Sequence, residues 1–232
     1  MPGENDWYTN TDKAFEEARR TEKPVFLFFC NDTCVSCNQI DSDIFTQNPL
    51  SDLIKSEFVA LRMTSDAPDV FHNYAVKNVP AFVIAGTDGL EYERCSDIFD
   101  AEGLAAFCLL ALGKVYHDRN EAETAQQHVE RLINSYPQSP HAPEGVFLRG
   151  VYRYIASQDP MHLKASLFML GKNYPDSIWV RRSLVLHFHP STVVDWEAYR
   201  RQRRDYWESQ DAYLKAWCTF YNGPSGHHFN ME

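Results

Sequence analysis

The sequence predicts an α/β domain at the amino-terminal end, followed by an all-α region. A continuous apolar run of strand length, residues 25–29, follows a helical pattern. Two cysteines, Cys34 and Cys37, stand where that strand turns into the next helix. Beyond residue 108 the apolar spacing is that of helices alone. We therefore expect an α/β domain over residues 1–108 and a helical domain over residues 109–232.

Composition limits the class of protein. Of the 232 residues, 44% are apolar and 14% aromatic, enough for the core of one large or two small domains. The first ten residues show no basic cluster followed by an apolar run, and no stretch approaches the roughly 20 apolar residues of a spanning helix. We expect a soluble cytoplasmic protein that does not bind membranes.

The charge argues against nucleic acid as a partner. The net charge is −10 and the pI is about 5.3, whereas phosphate binding needs a basic surface. A run of arginines between positions 200 and 204 is balanced by neighbouring acidic residues, as on a solvated helix face.

The elements of the first domain follow from apolar spacing and turn residues. Thr11 is the predicted cap of a first helix that runs to Arg20, and Asp100 is the predicted cap of a closing helix through Leu112. A helix over 68–77 is expected to turn Val70, Phe71, Tyr74 and Ala75 inward. The other predicted elements are a helix from the cysteines to residue 49 and strands at 25–29, 58–63, 81–85 and 90–95, the last two joined by the turn 87–89.

This order, together with one segment, resembles the thioredoxin family over roughly residues 7–112. The segment begins at Lys13, includes Lys23 to Phe28, and matches the branch pattern xAFxxARxxxKPVxLxF. The carboxyl-terminal domain of the periplasmic disulfide-interchange reductase belongs near the same branch. The resemblance implies the thioredoxin fold, a central mixed sheet flanked by helices.

The CxxC pair is the predicted catalytic centre. The peptide dipoles at a helix start stabilise a thiolate on the first cysteine, and the second lies one turn on. Cys34 is therefore the expected attacking thiol and Cys37 the resolving thiol, and no cofactor is needed. The resemblance also implies that Pro80 is a cis-proline facing the CxxC and that the backbone of Val79 pairs with an extended substrate.

The chain departs from thioredoxins at several positions. Thr33 replaces a tryptophan, Val35 and Ser36 replace Gly-Pro, and Phe28 stands where thioredoxins have a buried aspartate that helps deprotonate the resolving cysteine. Cys30 is an additional, accessory thiol. It could form an alternative disulfide, tune the thiolate or pack in the core, and packing is favoured because free cysteines are often buried. Cys95, Cys108 and Cys218 are interpreted as buried small apolar residues.

The helical region has the spacing of tetratricopeptide repeats between about 105 and 180, since the segment 134–139 recurs as 172–177 at a step of 38 residues. Helical hairpins without repeat ancestry remain an alternative. A long helix with an aromatic stripe is predicted over 193–221 and is interpreted as packing against the repeat helices.

Metal sites are disfavoured. Cys30, Cys34 and Cys37 have the spacing by which radical S-adenosylmethionine enzymes hold an iron–sulfur cluster, but Ser36 stands where those enzymes usually have an aromatic residue, and no Gly-rich cofactor segment follows. A zinc site lacks a fourth ligand, for which His72 is the only candidate in the domain.

The expected function is that of a thiol–disulfide oxidoreductase that reduces protein disulfides. Its partners would be a disulfide-containing client and a thiol or reductase that donates electrons. The helical tail would select the client or bind a peptide. The alternative is a binding scaffold in which the first domain is non-catalytic or redox-gated.

Overall fold

A computed structural model of the chain describes residues 7–97 and 100–187, and these divide into two compact units between Gly145 and Val146. The strands are β1 (Val25–Phe29), β2 (Val59–Met63), β3 (Ala81–Ala85) and β4 (Glu91–Cys95). The helices are α1 (Thr11–Thr21), α2 (Val35–Gln39), α3 (Leu50–Glu57), α4 (Pro68–Asn73), α5 (Ala101–Asp118), α6 (Ala122–Ser135), α7 (Ala142–Ser157), α8 (Met161–Asn173) and α9 (Ile178–His187). A π-helical turn, Ile40–Ile44, continues α2.

The four strands form one mixed sheet in the order β2-β1-β3-β4. Strand β1 runs parallel to β2 and antiparallel to β3, and β3 pairs antiparallel with β4. The parallel pair needs a crossover, which α2 and α3 supply, whereas the antiparallel pair β3–β4 closes through a short turn in which Gly89 adopts a φ of 85°. The predicted mixed sheet with flanking helices is confirmed.

Strand β1 lies at the centre of the core because every one of its residues is buried. Val25, Leu27 and Phe29 face a cluster that includes Ala14 and Ala18 of α1. The alternate residues, Phe26 and Phe28, point to the opposite face of the sheet and pack against aromatic rings there. The uninterrupted apolar run is thus explained by the covering of both faces.

Several predicted element ends are wrong, and among them the helix that follows the cysteines ends at Ile44 rather than at residue 49. Asn10, not Thr11, caps α1, and its side chain accepts a hydrogen bond of 2.9 Å from the Lys13 backbone. Helix α4 ends at Asn73 rather than at residue 77, and Ala75, expected to face inward, is exposed with a φ of 50°. Helix α5 continues past Leu112 to Asp118, although Asp100 caps it as predicted.

Helices α5 and α6 form a closely packed pair within the first unit. A Cβ atom at Gly113 would lie 2.5 Å from Cγ2 of Val129, so the helices approach at this position more closely than any side chain would allow. The predicted boundary between residues 108 and 109 falls inside α5. The division into domains at that point stays a prediction.

The described part of the second unit, residues 146–187, is helical. A Cβ atom at Gly150 would lie 2.3 Å from Oγ of Ser166, and the rings of Phe147 and Trp179 are 5.0 Å apart. The tetratricopeptide ancestry of these pairs stays a prediction. The arginine run, Cys218 and the aromatic stripe of 193–221 lie outside the described residues. Across residues 7–97 and 100–187, no helix combines the length and apolar character needed to cross a membrane.

The contact between Gly113 and Val129 can be tested by substitution. Gly113→Ala is expected to destabilise the protein by about 1 to 3 kcal/mol, because the added methyl group overlaps the valine side chain. Chemical denaturation measures this change. Val129→Ala removes the overlapping atom, so the double variant should lose about 1 kcal/mol less than the sum of the two single variants. Strict additivity would contradict the contact.

Candidate active site at the start of helix α2

Cys34 and Cys37 form a disulfide at the junction of β1 and α2, with their Cα atoms 5.2 Å apart. Cys34 is the N-cap of α2, and Cys37 lies within the first turn of the helix. The backbone N–H of Cys37 donates a hydrogen bond of 3.1 Å to the Sγ of Cys34. The amide groups at the helix start therefore point at the first sulfur, where they would stabilise negative charge on it.

The two sulfurs differ in exposure. Cys34 is half-buried, whereas Cys37 is fully buried. Val35, between them, is 71% exposed. An incoming disulfide can thus reach Cys34 but not Cys37, which is the asymmetry that an attacking and a resolving thiol require.

An aromatic layer lies between the sheet and α2, and Phe28 is at its centre. The ring of Phe28 stacks on Phe82 at 5.3 Å and packs edge-on against Phe45 at 5.1 Å, and Trp7 approaches it at 6.3 Å. Phe28 is completely buried. A hydrocarbon ring therefore occupies the position at which thioredoxins have a buried aspartate.

Two charged residues near the site were missed in the sequence. Arg62 of β2 forms an ion pair with Asp41 of the π-helical turn, and its guanidinium lies 5.6 Å from the centre of the Phe28 ring. Arg62 and Phe28 are register partners in the parallel pair β1–β2. The available signal was a single arginine inside an otherwise apolar predicted strand, since such a charge usually needs a partner.

Cys30 is buried directly after β1. Its Sγ lies 3.6 Å from the carbonyl oxygen of Met63, to which the thiol donates. Burial raises the pKa of the Cys30 thiol, and the positive charge of Arg62 opposes that rise. Cys108 is also buried, and burial raises the pKa of its thiol, whereas Cys95 is half-exposed, contrary to expectation.

Val79 and Pro80 lie at the same edge of the sheet as the CxxC. Their peptide bond is cis, and Ala81, which follows, pairs with Phe29 at the end of β1. The chain leaving β1 for Cys34 and the chain entering β3 from Pro80 are therefore neighbours. Pro80 is buried and Val79 is half-buried. Their role in substrate binding stays a prediction.

The same segment of the chain matches a known family. Residues 6–86 fit the family model Thioredoxin_7, which is described as thioredoxin-like. This stretch is a thioredoxin-like domain. It has the mixed sheet and flanking helices of the thioredoxin fold, and the CxxC disulfide follows its central strand.

Among curated proteins, the thioredoxin-like domain is similar to spermatogenesis-associated protein 20 from Homo sapiens, with 32% identity over 66 residues. That match covers 28% of this chain and 8% of the human protein. An uncharacterized protein from Caenorhabditis elegans is 30% identical over 83 residues, which are 35% of this chain and 11% of the other. The chain thus matches only a small part of the length of these relatives.

Solved structures similar to the chain include a thioredoxin from Thermus thermophilus, with 20% identity, a TM-score of 0.43, and coverage of 50% of this chain and 93% of that one. The oxidised carboxyl-terminal domain of DsbD from Neisseria meningitidis has 17% identity and a TM-score of 0.37, covering 42% of this chain and 92% of its own.

Phe28 can be used to test the aromatic layer of the thioredoxin-like domain. Phe28→Asp is expected to destabilise the domain by about 4 kcal/mol or more, because it removes a fully packed ring and buries a carboxyl group beneath α2. Phe28→Leu, the control, should cost only about 1 kcal/mol. Urea denaturation with tryptophan fluorescence reports both changes. Equal stability of the two variants would show that position 28 tolerates the family's acid.

Proposed function

We propose that the chain is a disulfide reductase in which Cys34 attacks and Cys37 resolves. The observation that carries this proposal is the unequal burial of two bonded sulfurs at a helix start, with a backbone N–H donated to the more exposed sulfur. That arrangement stabilises a thiolate where a client can reach it. It also keeps the second thiol away from solvent until it is needed.

The reaction proceeds through two exchanges. The Cys34 thiolate attacks one sulfur of the client disulfide, a mixed disulfide forms, and the other client sulfur leaves as a thiolate that takes up a proton. The Cys37 thiolate then attacks Sγ of Cys34, and the second client sulfur leaves. The client gains two electrons and the Cys34–Cys37 disulfide is formed. A thiol or a dedicated reductase must return those electrons.

The surface around Cys34 would bind an apolar, extended client segment. Val35 is an exposed apolar side chain beside the reactive sulfur, and Thr33, also exposed, replaces the bulky tryptophan of thioredoxins. The backbone of Val79, at the same edge of the sheet as Cys34, would form hydrogen bonds with the backbone of such a segment. A client held in this way presents its disulfide to Cys34.

The proposed reaction runs toward reduction of the client disulfide, and the helical region selects the client. Reduction is the direction that suits a cytoplasmic protein, because the glutathione and thioredoxin systems keep that compartment reducing. The helices that follow the thioredoxin-like domain would select the client.

Single cysteine variants test the assignment. Cys37→Ser should accumulate mixed disulfides with clients, because Cys34 still attacks but nothing resolves the product. Cys34→Ser should trap nothing and should lose reduction of a small disulfide. Non-reducing gel electrophoresis and a turnover assay with a thiol donor measure these outcomes. If wild type and both variants reduce the disulfide equally poorly, the scaffold alternative is favoured instead.

Val35 tests the client-binding surface. Val35→Ser should lower kcat/KM for disulfides flanked by apolar residues by about tenfold, because a buried valine contact of about 1.5 kcal/mol is lost. Reduction of a small disulfide without flanking residues should change little. Leu90→Ser is the matched control, since Leu90 is 58% exposed and lies at the opposite end of the sheet, in the β3–β4 turn. Equal effects of the two substitutions would count against the surface.

A further inference from the structure

Arg62 occupies an unusual position for a charged side chain. The other four residues of β2 are buried, and only 29% of the Arg62 side chain is exposed. A charge in such surroundings loses hydration and needs compensating partners. The partners of Arg62 are therefore informative about why the charge is retained.

Three described residues lie around the guanidinium, and they belong to β1, to the segment just after it and to the helical turn that continues α2. Asp41, in the helical turn that continues α2, forms the ion pair. The face of Phe28 lies beneath it, in β1. The Cys30 thiol is near enough for the positive charge of Arg62 to oppose the rise of its pKa on burial. Arg62 thus connects the end of the central strand to the helix of the reactive cysteines.

Cys37 lies close to this arrangement in the fold. It precedes Asp41 by four residues, about one helical turn, so the two lie on the same side of the helical segment, and the Cys37 side chain is completely buried. A buried thiolate is unfavourable unless positive charge is near. Phe28 supplies neither charge nor a proton acceptor, so among the described residues that surround Cys30 and Asp41, Arg62 is the cation suited to this role.

We propose that Arg62 is a positioning residue for the resolving step: its guanidinium, oriented by Asp41, supplies the positive charge that stabilises the Cys37 thiolate as it attacks Sγ of Cys34. The inference rests on the proposed exchange reaction and assigns a role to a residue outside the CxxC. The proton of the Cys37 thiol passes to water. The Cys34–Cys37 bond forms while the bond between Cys34 and the client breaks.

The charges around the site determine the direction in which each substitution should shift the pKa of Cys37. Arg62 favours a thiolate, whereas Asp41 and the nearby Asp32 oppose it, as their effects on Cys30 illustrate. Removing Arg62 and removing the Asp41 charge break the same ion pair. A purely structural role would make both substitutions act in one direction, but an electrostatic role makes them act in opposite directions.

The test follows ionisation of the Cys37 thiol as a function of pH by NMR, from the cysteine ¹³Cβ chemical shift, in the reduced, full-length Cys34→Ser protein; the Cys34→Ser/Cys37→Ser double variant assigns the signal. Arg62→Met keeps the apolar stem and removes the charge, and it should raise the pKa of Cys37 by about one unit, lowering the thiolate fraction near neutral pH about tenfold. Arg62→Lys should restore most of that fraction. Asp41→Asn should lower the pKa.

A shift in the same direction for Arg62→Met and Asp41→Asn, or no shift in either, would overturn the proposal. Circular dichroism of each variant checks that the fold is kept. The titration uses no client and no electron donor, so it is independent of catalysis. If the wild type exchanges no disulfides, the proposed function fails, whereas the opposite shifts would still establish the electrostatic role of Arg62.

Discussion

Burial of both faces of β1 is the constraint on which the rest of this domain depends. One face packs on α1, and the other carries Phe26 and Phe28 into the aromatic layer. That layer includes Phe45, which follows the π-helical turn that continues α2, and it so helps to hold this helical segment, in which Cys37 is buried, on the sheet. Hydrophobic packing, although it has no directional preference, thus gives two chemically identical thiols different exposures to solvent.

The same layer limits where a charged side chain can lie on this face of the sheet. Replacing hydrocarbon by an isolated charge there would be costly, so an ionic group persists only where a partner and an exit to solvent are both at hand. Arg62 and Asp41 meet this condition because they lie at the border of the layer, where each side chain keeps 29% of its surface in water. The position of the ion pair thus follows from the packing.

The sequence was sufficient for the strands but not for the side-chain pairs. Runs of apolar residues located β1 and β3 to the residue, because both are buried throughout. The end of α5 was missed since that helix is buried on nearly all sides and shows no periodic stripe. Asn10 and Thr11 are both good caps, and local sequence does not choose between them. The Arg62–Asp41 pair joins residues 21 positions apart, a contact that only the fold creates.

Helix α5 has a consequence for how such a chain can be assembled from parts. Lys114 lies between Glu93 of β4 and Glu144 of α7, and Arg119 donates a hydrogen bond of 2.6 Å to the carbonyl of Glu22, just after α1. The second half of α5 therefore belongs to the packing of the sheet domain. An engineered fusion that replaced the helices after the sheet would therefore have to keep α5 with the sheet. The segment to be transferred as one piece is longer than the sheet and its flanking helices alone.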